Sequence, residues 1–127
     1  MRFDHAGVAT DDAEGLAFLY EDLFDCEIAH EERFGELRVI FLALENGYFE
    51  LLEPQGEGTI SRYLDEHGSG LHHVAVETSD IEAALETAES VGAERIDEEP
   101  RQGAWGHRVA FLHPGSTGGV LIEFVEH

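Results

Sequence analysis

One internal repeat constrains this chain more than any other feature. Residues 5–14 read HAGVATDDAE, and residues 73–82 read HVAVETSDIE. At a constant offset His5 falls on His73, Val8 on Val76, Thr10 on Thr78, Asp12 on Asp80 and Glu14 on Glu82. A second match closes each half, with Phe49-Glu50-Leu51-Leu52-Glu53 set against Ile122-Glu123-Phe124-Val125-Glu126. Two matches in the same order predict two copies of one supersecondary unit. A length of 127 residues accommodates both copies in one domain and leaves no room for a second large one. The hydrophobic share of 43% suffices for a folded core, so wholesale disorder is excluded despite the charge.

Period and punctuation then predict the elements. Residues 3–9 alternate as a strand. Asp11-x-x-Glu14 and Ser79-x-x-Glu82 each fit a helix start, a capping side chain with a carboxylate three residues on. Leu16, Leu19, Tyr20 and Leu23 follow at helical spacing, as do Ile81, Ala84, Leu85 and Ala88, and Gly92 suits the residue past the second helix. Three strands follow the first helix at 27–31, 37–44 and 48–53, with Asn46-Gly47 as a hairpin turn. The second half repeats them at 93–96, 107–112 and 120–125. The expected fold is α+β, a single domain over 1–127 made of two paired βαβββ modules. Module one covers 1–55, a linker helix around Ile60, Tyr63 and Leu64 covers 56–69, and module two covers 70–127.

Strand alternation assigns faces to the side chains. Ala6 and Val8 point toward the helix, while His5, Gly7 and Ala9 share the other face. Likewise His72, Val74 and Val76 oppose His73, Ala75 and Glu77. In the closing strands Tyr48-Glu50-Leu52 and Leu121-Glu123-Val125 each set a carboxylate between two apolar side chains. His5, Glu50, His73 and Glu123 are therefore expected to converge in a cleft lined by concave sheets, a donor set suited to divalent Zn, Co, Ni, Mn or Fe. A lone strand histidine is more often a hydrogen-bonded structural residue, and a strand glutamate can guard an edge against aggregation. Repeat symmetry across all four favours the metal site. His72 is a decoy on the opposite face, and His30, His67, His107, His113 and His127 lack the symmetry. Tyr48, Phe49, Phe111 and Phe124 read as core, and Trp105 as a pocket lid or a surface cover.

Charge narrows the partners. Twenty-eight acidic residues face seven basic ones, every one an Arg, for a formal net charge of -21. Nucleic acid and anionic membrane surfaces would meet a repulsive field. The acids are scattered rather than gathered in a tail, which reads as the solvated surface of a halophilic protein whose self-repulsion salt screens. No apolar run approaches the roughly 18 residues of a membrane span, and the opening segment is not a signal peptide. Cys26 stands alone, so there is no internal disulfide framework and a reducing cytoplasm is expected. HExxH, Walker, GxSxG and CxxC motifs are absent.

Local motifs add a resemblance. The segments FELLEP (49–54), GLHHVA (70–75), IDEEP (96–100), VAFLHP (109–114) and STGGVLIE (116–123) resemble those of the methylmalonyl-CoA epimerase family, within the vicinal-oxygen-chelate superfamily of paired βαβββ modules. The resemblance implies metal ligation by His5, Glu50, His73 and Glu123, with Co2+ or Zn2+ as the first candidates and Mn2+ or Ni2+ as alternatives. It implies a small-molecule CoA thioester as substrate, proton removal and return at its alpha carbon with Glu123 and then Glu50 as catalytic acid/base groups, and a homodimer. Competing readings are a glyoxalase-I-type lactoylglutathione lyase, which uses the same four-ligand set, and a non-enzymatic small-molecule-binding protein of the same fold. A ring-cleaving dioxygenase fits less well, since its usual set has two His and one Glu. Two departures stand out. Some epimerases carry a further glutamate inside the strand matching 37–41, where this chain has only Glu36 at the edge, so the second proton carrier is unassigned. Gly115 replaces a Lys that commonly follows the FLHP segment. The acidic surface generates a first prediction: the melting temperature rises from dilute buffer to molar KCl, and a flat profile in a thermal melt series would contradict the halophilic reading.

Overall fold

A computed structural model describes all 127 residues. In chain order it runs β1 (Arg2–Ala9), α1 (Ala13–Phe24), β2 (Glu27–Phe34), β3 (Leu37–Leu44), β4 (Gly47–Pro54), α2 (Thr59–His67), β5 (Gly70–Glu77), α3 (Ile81–Ser90), β6 (Arg101–Gln102), β7 (Arg108–Leu112) and β8 (Ile122–Glu126). The order is βαβββ twice with a helix between, an α+β fold as expected. Two compact units emerge: His5–His72, and Met1–Asp4 together with His73–His127.

Within His5–His72 the strands lie in the order β2-β3-β4-β1. β3 is antiparallel to both neighbours, and β1 runs parallel to β4. One face of this sheet carries α1. Ala13 and Ala17 of the helix pack against Val8, Ile40, Leu42 and Leu51, all buried. The small alanines bring the helix axis close, and Tyr20, Phe24 and Phe49 close the side with ring centroids 5.1–5.4 Å apart. In the other unit β8 lies between β5, its parallel partner, and β7, its antiparallel one. Ile81, Ala84, Leu85 and Ala88 of α3 pack there against Ala110, Leu112 and Phe124. Met1–Asp4 belongs with this unit through its side chains: His127 Nε2 lies 2.6 Å from Asp4 Oδ1, and Arg2 Nε lies 3.7 Å from Glu77.

Both outer helices begin one residue later than the sequence pattern suggests. The caps are the repeat-matched Asp12 and Asp80, not Asp11 and Ser79, and their carboxylates accept the Gly15 and Ala83 N–H groups at 3.0 and 3.1 Å. A second carboxylate reaches each helix start: Glu53 accepts the Ala13 N–H at 2.8 Å and Glu126 that of Ile81 at 2.9 Å. Two acceptors thus satisfy N–H groups that a helix start leaves without intrahelical partners. Arginines repeat as well. Arg38 bonds Glu14 on the first turn of α1, and Arg108 bonds Glu82 on the first turn of α3 and Glu126. Hydrogen bonds to Glu31 and then Glu14 raise the Arg38 pKa, those to Glu82 and Glu126 raise that of Arg108, and Arg108 holds the Glu82 carboxyl below the usual carboxylate range, but such exposed pairs add little stability.

The strand expected at 93–96 shrinks to a single bridge between Arg95 and Leu112, and the ladder beside β7 is instead the two-residue β6. The cause is Asp97. Backbone bonds from Ile96 N–H to Phe111 O and from His113 N–H to Glu94 O, both 2.8 Å, remain, but the Asp97 carboxylate accepts the Phe111 N–H at 2.8 Å and the Arg101 Nε–H at 3.0 Å, so beyond Ile96 a side chain takes the place of a backbone partner. Trp105 sits at φ +63° in a tight turn and stacks on His107, whose ring stacks in turn on His127. No helix is long and apolar enough to cross a membrane. Cys26 is half-buried, and burial together with Glu21 and Asp25 pushes its thiol pKa up. The double capping predicts that Asp12→Ala and Asp80→Ala each cost about 1 kcal/mol in urea unfolding. Much larger losses would show that the glutamates do not share the capping.

Candidate functional site

Each module contributes one buried histidine and one buried glutamate, and the reason lies in strand register. On β1 and β4 the paired residues are His5 with Tyr48 and Gly7 with Glu50. His5 and Glu50 are therefore diagonal neighbours on one face, and the missing side chain at Gly7 leaves room for them to meet. His5 Nε2 lies 3.2 Å from Glu50 Oε1, with the residues 4% and 5% exposed. The second unit repeats this geometry. Ala75 pairs with Glu123, His73 is the diagonal neighbour, and Nε2 to Oε1 is 3.1 Å. His73 and Glu123 are 4% and 6% exposed.

A ring seats each imidazole edge-on. Phe41 on β3 is directly paired with Glu50, and its ring centroid lies 5.6 Å from that of His5 at an interplanar angle of 86°. Phe111 on β7 is directly paired with Glu123, and it meets His73 at 5.5 Å and 84°. Phe111, read from sequence as plain core, and Phe41, not singled out at all, thus orient the histidines. The signal was available: counting strand parity puts 39, 41 and 43 on the face of 48, 50 and 52. Apolar Val39 and Leu52 flank the first pair, and Val109 and Val125 lie near the second, so both sit in surroundings of low polarity.

The other sequence candidates fall where alternation sends them or are bound elsewhere. His72 packs edge-on against Tyr63 of α2 at 4.9 Å, the opposite side from His73. Glu53 and Glu126, three residues beyond Glu50 and Glu123, turn to the helix side as caps. Trp105 covers His107. His30 differs from expectation: on β2 its Nε2 lies 3.6 Å from Glu32 Oε1, and its ring tilts against Phe41 at 6.2 Å.

Chemically, each pair offers an imidazole nitrogen and a carboxylate oxygen of hard to borderline character. Buried groups of this kind need a shared proton or a cation. Such a donor set fits a divalent transition metal and would suit neither a soft thiolate-type site nor an all-oxygen cage.

Residues 4–111 match the family model of the Glyoxalase/Bleomycin resistance protein/Dioxygenase superfamily. The chain is 36% identical to the ethylmalonyl-CoA/methylmalonyl-CoA epimerase of Cereibacter sphaeroides, covering 96% of this chain and 95% of that one. The crystal structure of methylmalonyl-CoA epimerase from Mycobacterium tuberculosis is similar with a TM-score of 0.92 and 32% identity, over 98% of this chain and 87% of that one. A methylmalonyl-CoA epimerase in complex with methylmalonyl-CoA and NH4+ is similar with a TM-score of 0.92 and 32% identity, over 98% and 93%. The ring contacts generate a prediction. Phe41→Ala, which removes a ring only 3% exposed, destabilises the chain by about 3–5 kcal/mol in urea unfolding, whereas Phe41→Leu costs less than half of that. Equal costs would show that apolar volume alone does not serve at this position and that only an aromatic ring does.

Proposed function

Because the chain belongs to the Glyoxalase/Bleomycin resistance protein/Dioxygenase superfamily, and within it to the methylmalonyl-CoA epimerase family, we propose that it interconverts (R)- and (S)-methylmalonyl-CoA. The observation that carries this reading is the pair of buried, repeat-related His–Glu contacts, each backed by an edge-on phenylalanine. On this reading the chain is one domain in which His5, Glu50, His73 and Glu123 together hold a single divalent ion. Co2+ or Zn2+ are the first choices, with Mn2+ or Ni2+ next; two imidazoles and two carboxylates serve all four. The ion, when bound, supplies a Lewis acid for the carbonyl oxygens of the substrate and so steadies the charge that develops on deprotonation.

The protein's own groups do the rest. Phe41 and Phe111 fix the imidazole planes, and the apolar side chains of Val39, Leu52, Val109 and Val125 keep water from the reacting carbon. A carboxylate oxygen takes the alpha proton, Glu123 as first candidate and Glu50 as second. The relatives described above are epimerases, which favours this chemistry over a lactoylglutathione lyase. The same reading places the protein in the cytoplasm of a halophile as a homodimer. Phe18, Leu19 and Leu23 of α1, exposed on an otherwise acidic chain, support a protein contact there.

One experiment tests the reading. The metal-loaded protein is incubated with (S)-methylmalonyl-CoA in deuterated water, with metal content measured in parallel. Deuterium wash-in and equilibration with the (R) form are expected, with about one metal per chain as a four-ligand site requires. His73→Ala abolishes metal binding, and His72→Ala leaves it intact. Glu123→Gln keeps an oxygen ligand but lowers wash-in by about 10²- to 10⁴-fold. No wash-in by the unaltered protein sinks the activity. Unchanged metal content in His73→Ala sinks the site.

A further inference from the structure

Epimerisation needs two proton carriers, because a proton removed from one side of the planar enolate must be replaced from the other. The strand at 37–44 carries no carboxylate that could serve as the second. We propose that His30, beside Glu32 on the edge strand β2, is that second carrier, working opposite a ligand carboxylate; the inference rests on the epimerase reading above.

The geometry begins with a defect in the sheet. Ile28 of β2 pairs with Leu42, whose side chain packs under α1, yet His30, two residues on, pairs with Phe41. In a regular strand Ile28 and His30 would share a face. The register shift between them inserts one residue and turns His30 to the other side, the side of Phe41 and Glu50. Bulges of this kind re-aim side chains next to active sites. Glu32 follows on the same face, directly paired with Val39, and its carboxylate lies 3.6 Å from His30 Nε2.

His30, Phe41 and Glu50 therefore form one lateral row across β2, β3 and β4. Neighbouring strands are about 4.8 Å apart, so the backbones of His30 and Glu50 are separated by roughly 10 Å. The Phe41 ring stands between the two flanks on the same face, 5.6 Å from the His5 ring and 6.2 Å from the His30 ring, centroid to centroid. Imidazole takes and gives protons near neutrality more readily than any other side chain, and the Glu32 carboxylate 3.6 Å from Nε2 gives this one a charged neighbour. His30 and Glu32 side chains are each 27% exposed, against 4% and 7% for His5 and Glu50, so solvent reaches the dyad at its outer edge although His30 Nε2, the atom facing Glu32, is itself buried.

The protons balance. A ligand carboxylate takes the alpha proton as the C–H bond breaks, and the electron pair moves into the thioester as an enolate. The His30 imidazolium gives its N–H proton to the opposite side of the same carbon, forming the new C–H bond and becoming neutral. The carboxylic acid and the imidazole then return to their starting states by exchange with water, and no oxidant or other reactant is consumed.

The test is stereochemical. Metal-loaded wild type, His30→Gln and Glu32→Gln proteins are each given (R)- and (S)-methylmalonyl-CoA separately in deuterated water, and both alpha-proton exchange and inversion are followed. In His30→Gln, inversion is expected to fall by about 10²-fold or more in both directions. One stereoisomer continues to exchange its alpha proton with retention, within a few-fold of wild type, because the carboxylate still serves its side. The other loses exchange together with inversion. Glu32→Gln, in which the positioning residue alone is changed, shows the same asymmetry at smaller amplitude. Equal loss of exchange on both stereoisomers, as a merely structural residue would give, or undiminished inversion, overturns the assignment. Wild type that exchanges neither stereoisomer overturns the epimerase reading itself, an outcome distinct from symmetric behaviour of the His30 variant beside an active wild type.

Discussion

A histidine set diagonally beside a glutamate across a parallel strand pair is the contact on which the rest of this structure depends. In each module an imidazole nitrogen and a carboxylate oxygen approach to 3.2 or 3.1 Å at almost complete burial. Taking one partner away would leave the other buried without its nearest counter-group, at a cost of about 3–5 kcal/mol when such a group is charged. Several local choices follow from that penalty. Gly7 and Ala75 are small where the glutamate would otherwise face a side chain. Phe41 and Phe111 stand beside the glutamates, filling the space that a freely rotating imidazole would need. The decoy His72 differs from His73 by one step along β5, which is enough to send it to Tyr63.

The same closing strands divide their glutamates between chemistry and scaffold. Glu50 and Glu53, like Glu123 and Glu126, are three apart, an odd step that places them on opposite faces. The inner member pairs with histidine, and the outer one accepts an N–H from the first turn of the module's own helix. Helix and buried His–Glu pair are thus tied to one short strand. A shift of that strand by one residue would exchange their roles and break both sets of contacts, so the caps also guard the register of the site.

Much of this was legible in the repeat. Matching His5 to His73 and Glu50 to Glu123 identified both polar pairs, and parity alone separated His72 from His73. Legibility failed where a side chain replaced a backbone partner or where the strand period broke. The helix starts moved by one residue because Asp12 and Asp80, the residues that the repeat itself aligns, cap more effectively than their neighbours. The strand expected at 93–96 stops at one bridge, because beyond Ile96 the Asp97 carboxylate takes the Phe111 N–H. His30 was set aside because it has no counterpart in the second half, and its orientation depends on a bulge, which no alternation count can reveal. The repeat identifies what the modules share. A stereochemically two-sided reaction needs something they do not.

The charge bears on that reaction too. Seven arginines cannot neutralise twenty-eight acids, and those of the two helix-to-strand ties, Arg38 and Arg108, are placed to hold each helix start to its sheet. A forked guanidinium can bridge two carboxylates at once, as Arg108 does for Glu82 and Glu126, which a lysine's single ammonium does less well. The remaining excess, -21 in all, opposes compaction and, on the proposed reading, also opposes the approach of a CoA thioester that is itself anionic. Screening relieves both together, since the Debye length shrinks from about 10 Å at 0.1 M salt to about 3 Å at 1 M. At the shorter distance the surface carboxylates no longer act in concert, and a ligand meets mainly the groups it touches. An acidic exterior is then compatible with an anionic substrate, provided that the site supplies its own local positive charge, which a bound divalent ion would do.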